Sequence, residues 1–126
     1  MKVAWFENEY LRGFLSRHGV TLDLEVVQYR TRDDVALLQP SQYDLIVVAA
    51  SLDYIGGNKP QDVIENALEM ISQIRAMEPY KEVPIIVKGT ELQNGVATKF
   101  TQAGATALVP LEDQLSVFDH IQQRYL

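Results

Sequence analysis

The chain has 126 residues, 47% of them hydrophobic, no cysteine and a formal net charge of -6. That length suits one domain, residues 1–126, with a core of its own, and the missing cysteines exclude disulfides and thiolate metal or redox chemistry. The acidic balance argues against direct nucleic-acid binding, since Arg30 and Arg32 are offset by Asp33 and Asp34, and the opening MKVAWFENEY has too short an apolar run for a signal peptide or membrane span, so a cytoplasmic location is expected.

Five alternations of strand and helix are predicted, with no internal repeat. The first strand is KVAWF, Lys2 to Phe6. The helix after it sets Leu11, Phe14 and Leu15 on one face, and Gly19 suits its C-terminal cap. A second strand is expected over Leu22 to Tyr29. Thr31 and Asp34 have capping-box spacing for a short helix through Leu38, which Gln39-Pro40 ends. The third strand lies in YDLIVVAAS, where five consecutive apolar residues leave no polar face, as in a strand covered on both sides. Gly56, Gly57, Asn58 and Pro60 then mark a loop. The third helix, about Gln61 to Met77, carries Ile64, Ala67, Leu68, Ile71 and Ile74 in one stripe, and Pro79 stops it. Val83 to Val87 is the fourth strand. Thr90 and Gln93 have capping-box spacing for a fourth helix that Gly95 weakens. Thr106 to Val109 is a short fifth strand, and the fifth helix buries Leu115, Phe118, Ile121 and Tyr125. This alternation predicts an α/β, flavodoxin-like, doubly wound parallel sheet of order 2-1-3-4-5 with five helices in three layers.

Ligands in such sheets gather at the carboxyl ends of the strands. No GxGxxG and no GxxxxGK[ST] is present, so neither a dinucleotide fingerprint nor a P-loop is supported, and Gly56-Gly57 reads as a turn. ENEYLRG, after the first strand, lacks the hydroxyls of a flavin-phosphate loop. Ser51 lies near the strand ends, but His18 falls at the opposite rim and His120 in the middle of the fifth helix, so neither serves as its base or forms a metal site with the other. Glu7, Asn8, Glu9 and Asp53 could supply oxygen ligands to Mg²⁺. Alternatively, Glu7 or Asn8 caps the first helix.

The whole chain resembles a receiver domain of two-component response regulators, the CheY-like form of the flavodoxin-like fold. KVAWFENEY is similar to the family's first strand with its acidic pair, and YDLIVVA to the third strand, which ends in the phosphoacceptor aspartate. EVPIIVKGT matches the fourth strand with its terminal hydroxyl, and QAGATALVPLE the stretch leading to a lysine-proline pair. The resemblance implies that the working residues are largely gone. Glu7 and Asn8 take the acidic pair, Ala49 the phosphoacceptor, Gly89 the hydroxyl position with Thr90 one residue late, and Leu111 with Glu112 the lysine-proline pair. Leu108 takes the switch aromatic. An alanine at 49 also spares Glu7 a second carboxylate beside it.

The resemblance therefore implies a pseudo-receiver: no enzyme, no catalytic residue, no cofactor and no resident metal. It would act through a protein partner or a homodimer at the face of the fourth helix, fifth strand and fifth helix, with Lys99, Phe100, Gln102, Leu108, His120, Arg124 and Tyr125 as candidate contacts. Phe100 and Tyr125 suit the core equally well. An alternative is a small-molecule or enzymatic pocket rebuilt from Glu7, Asn8, Ser51, Asp53, Lys88 and Thr90, in which Lys88 pairs with Glu7. A third reading moves the phosphoacceptor to Asp53 or Ser51.

Overall fold

The structure is a computed structural model that describes residues 1–8, 15, 17, 22–38, 42–52, 60–93, 95–110 and 114–126. Five strands, β1 (Lys2–Phe6), β2 (Glu25–Tyr29), β3 (Leu45–Ala49), β4 (Ile85–Lys88) and β5 (Ala107–Val109), form one sheet of order β2-β1-β3-β4-β5. Every neighbouring pair is parallel. Among the described residues three α-helices are bounded: α1 (Pro60–Ala76), α2 (Gly95–Ala103) and α3 (Gln114–Tyr125). They correspond to the third, fourth and fifth predicted helices. The expected short second helix is a 3-10 turn, Arg32–Leu37, and another 3-10 turn covers Glu78–Tyr80 around Pro79. The first predicted helix falls mostly outside the described residues, although its Leu15 is buried.

Burial follows from position in the sheet. β3, at the centre, is buried at all five residues, whereas edge strand β2 is half-exposed. Alternation along the strands divides the core in two. Ala4, Phe6, Ile46, Val48, Ile85 and Val87 face one way and pack with Ala67, Ile71 and Ile74 of α1 and Phe100 of α2. Val3, Trp5, Leu45, Val47 and Ile86 face the other way and pack with Leu15 and with Val117, Phe118 and Ile121 of α3. The Trp5 and Phe118 rings lie 5.3 Å apart and tilted, which docks α3 on the sheet.

Several expected boundaries move. β2 starts at Glu25 because Asp23 adopts a left-handed conformation, φ 59°, and turns the chain just before it. Thr31 and Asp34 do cap the 3-10 turn, the Asp34 carboxylate accepting the N–H groups of Thr31 and Arg30. β4 starts two residues later than expected and continues through Lys88. Gly95 opens α2 and so lies outside the helix interior where it would cost most.

The amino pole of the sheet is tied by one side chain. Arg75, in the last turn of α1, donates to the carbonyls of Gly104, Tyr80, Lys81 and Val83 and to Thr106 Oγ1. One guanidinium thereby joins α1 to the segments entering β4 and β5. Gly104, at φ 122°, is required beside it, because a Cβ there would come within 2.8 Å of Arg75 Cγ.

Candidate functional site at the strand carboxyl ends

Trp5, Val47 and Ile86 lie on the sheet face that carries α3. Two residues further along each strand, the same face presents Glu7, Ala49 and Lys88. The register agrees, with Phe6 opposite Val48 and Ala49 opposite Lys88. The three positions thus form a row across β1, β3 and β4, with Ala49 in the middle.

Lys88 reaches across that row. Its Nζ donates to Glu7 Oε2 at 2.8 Å, with the Lys88 side chain 2% and the Glu7 side chain 9% exposed. The other carboxylate oxygen, Oε1, accepts the Trp5 indole N–H at 2.8 Å. Backbone contacts hold the participants in place. Glu7 N–H donates to the Tyr29 carbonyl, and Gln28 Nε2 donates to the Glu7 carbonyl. Ala50 N–H donates to the Lys88 carbonyl, and Gly89 N–H donates to the Val109 carbonyl. These last two bonds carry β4 one residue past Val87 and aim Lys88 inward. Adjacent strands lie about 4.8 Å apart, so β1 and β4 are roughly 10 Å apart here. A carboxylate and an ammonium span that gap only over a small residue, and Ala49 is small.

The remaining expected site residues diverge from this row. Asn8 turns toward β2, where its Nδ2 donates to the Arg30 carbonyl and its own carbonyl accepts from Arg30 Nε. Gly89 has φ 144°, and a Cβ on it would press on Glu91 Oε2 and on Ala50 Cβ. A β-branched hydroxyl residue would be strained at that φ, which accounts physically for the glycine. Thr90 is exposed and Ser51 is half-buried. Leu111, Glu112, Asp53, Glu9 and His18 lie outside the described residues. Among the described residues no group of three or more His, Asp or Glu side chains is arranged to hold a metal.

On the α2–β5–α3 face, Lys99, Gln102 and Arg124 are exposed, while His120 and Tyr125 are half-buried. Burial, with Arg124 nearby as a smaller cause, pushes the His120 imidazole below its usual value. Phe100 must be removed from the candidate contacts: it is fully buried, because on α2 it shares a stripe with Val96 and Ala103 that packs against the core. Leu108 and Tyr125 are likewise packed against the two core clusters rather than standing clear of them. Leu115, expected to be buried on the last helix, is 49% exposed.

One residue that sequence reasoning passed over carries weight here. Trp5 precedes Glu7 by two, the spacing that puts them on one face of a strand, so its indole was a readable partner. Lys88, expected just past the fourth strand as a pocket residue that pairs with Glu7, is the last residue of β4 and makes that pair. A groove of about 560 Å³ sits at the amino pole, lined by Tyr43, Asp44, Glu78, Pro79, Lys81 and Pro84 among others.

No family model matches the chain, and no curated protein does. Solved structures do. Chemotaxis protein CheY4 of Vibrio cholerae superposes with a TM-score of 0.74 at 18% identity, covering 97% of this chain and 96% of that one. The receiver domain of a Pseudomonas aeruginosa sensor histidine kinase, with a magnesium ion coordinated in its active-site cleft, gives 0.73 at 19% identity, covering 98% and 95%. The BeF3-activated receiver domain of Klebsiella pneumoniae RstA gives 0.69 at 13% identity, covering 98% and 97%. At these identities the likeness speaks to architecture: the chain has the CheY-like receiver fold, with a lysine–glutamate pair buried at the carboxyl ends of its central strands.

Proposed function

We propose that the chain is a receiver-like signalling domain that performs no phosphoryl transfer and acts by phosphorylation-independent contact with a protein partner. The observation that carries this reading is Ala49 at the end of β3, lying between Glu7 and a lysine that already neutralises it. Transfer to a protein needs a nucleophilic oxygen and positive charge to steady the transferred group. Ala49 has no oxygen, and the Lys88 ammonium is engaged.

A magnesium site of the kind coordinated in the Pseudomonas neighbour does not fit these residues. Mg²⁺ demands near-octahedral oxygen coordination, usually through one or two carboxylates. Glu7 has both oxygens hydrogen-bonded, the Asn8 amide is turned to Arg30, and Lys88 brings a positive charge into the row. The alternative small-molecule pocket of Glu7, Asn8, Ser51, Asp53, Lys88 and Thr90 draws little support for the same reason, since Glu7 and Lys88 satisfy each other.

Partner contact is assigned to the α2–β5–α3 face, where Lys99, Gln102 and Arg124 stand exposed, and the reading extends to a homodimer through the same face and to action in the cytoplasm. Among the described residues no helix is long and apolar enough to cross a membrane. Incubation with acetyl phosphate and Mg²⁺, followed by intact mass measurement, tests the chemical half of the proposal. The mass should not change. A phosphoryl adduct would overturn it, and its loss in Asp53→Ala or Ser51→Ala would locate a displaced acceptor.

A further inference from the structure

We infer that Lys88 is a tethered cation standing where a divalent metal would otherwise be needed, so that the strand-end cleft is neutralised permanently and is indifferent to Mg²⁺. The inference deepens the reading above and rests on it for the comparison with a metal-holding cleft. Its own support is the row formed by Glu7, Ala49 and Lys88.

A buried carboxylate is costly unless a positive charge and hydrogen bonds compensate it. Glu7 is 6% exposed, so its compensation has to come from within reach. A bound ion supplies such charge only when its concentration permits. A lysine of the same chain supplies it always. Lys88 meets the geometric demand because its four methylenes cross the β3 position to put Nζ 2.8 Å from Oε2. The Trp5 indole occupies the second oxygen, so both carboxylate oxygens are engaged without any ion. A dication entering the row would lie within a few ångströms of the ammonium, where like charges repel strongly in a weakly screened interior.

Ala49 and Lys88 are therefore two halves of one arrangement. A carboxylate at 49 would sit in the path of the lysine, would compete with Glu7 for its single charge, and would leave the row one positive charge short. Replacing Lys88 by an uncharged residue of similar length while placing Asp at 49 should turn the same row into a pair of carboxylates calling for a cation.

Trp5 is the chain's one tryptophan and touches Glu7 directly, so its fluorescence reads the site. The experiment titrates MgCl₂ into the full chain at ionic strength matched with NaCl, comparing wild type with Ala49→Asp/Lys88→Met and following Trp5 emission. Wild type should show no saturable change. The double variant should show one, with an apparent affinity at least about tenfold tighter than any wild-type response. Should the double variant be unfolded without metal, circular dichroism replaces fluorescence as the readout, and Mg²⁺ should restore structure by binding the folded form alone. A saturable response in wild type overturns the inference. So does a double variant that neither responds nor recovers structure with Mg²⁺. No phosphodonor is present, so wild-type Mg²⁺ binding would sink this inference while leaving the intact-mass test of phosphoryl transfer to be judged separately.

Discussion

Two basic side chains hold opposite poles of this sheet, and they do so differently. Arg75 gathers four backbone carbonyls and a threonine hydroxyl where the chain enters β4 and β5. Lys88 meets one carboxylate over the carboxyl ends of β1 and β4. Carbonyls persist whatever the neighbouring side chains are, so the Arg75 web fixes backbone segments and constrains little chemistry. The Lys88–Glu7 contact depends on three side-chain identities, including the smallness of Ala49. It occupies the end of the sheet where doubly wound folds place their ligands. The first pole is built for cohesion, and the second joins two opposite charges across a small residue.

The comparison is broken or sharpened most forcefully by Lys88→Met, which leaves Glu7 buried and unpaired. The expected loss is about 3–5 kcal/mol by chemical denaturation. The pair Glu7→Gln/Lys88→Met should recover most of it, and failure to recover would mean that Lys88 stabilises through packing alone. Arg75→Met leaves several carbonyls without a donor at a partly exposed site, with an expected cost of about 2–3 kcal/mol. Gly104→Ala should cost about 1–3 kcal/mol through the strained φ and the contact with Arg75. It should be far from additive with Arg75→Met, because one disturbance already includes the other.

Protonation offers smaller effects. The Tyr43 phenol, buried against Tyr29, is held well above its ordinary value, by desolvation first and by the Tyr29 hydrogen bond next. The unfolded phenol ionises near its usual value of about 10, so stability should fall as pH rises through that point. Tyr43→Phe should flatten this alkaline loss. His120 is displaced downward, by burial first, so the folded protein resists its protonation. The unfolded state then binds the proton more readily, and stability should decline as pH falls through about 6.5 and level off below the folded value. His120→Gln should remove that slope, the smallest of these effects.

The two poles also differ in how readable they were. KVAWF declared β1 to the residue, and the apolar run LIVVA declared β3, because continuous burial leaves a pattern in the side chains themselves. Ala49 could be located for the same reason. Phe100, beside Lys99 and Gln102, was read two ways, and the spacing to Val96 and Ala103 was the better guide. Arg75 left no trace in the sequence, since its partners are carbonyls that every residue possesses. Lys88 was half-legible: its pairing with Glu7 was readable as one option, but its place inside β4 depends on backbone bonds, Ala50 N–H to the Lys88 carbonyl and Gly89 N–H to the Val109 carbonyl, that no local pattern announces. Gly89 suggested an absent hydroxyl by resemblance alone, whereas its φ of 144° shows a backbone position that favours glycine.

The central claim is that Ala49, Glu7 and Lys88 leave nothing at the strand ends for a phosphoryl group to bond to. Its most direct measurement is an amide ¹⁵N–¹H spectrum of the wild-type protein before and after adding Mg²⁺ with beryllium fluoride, a phosphoryl mimic that bonds to a carboxylate. The account predicts that the amides of Ala49, Lys88 and Gly89 stay where they are. A saturable displacement centred on those residues would contradict it.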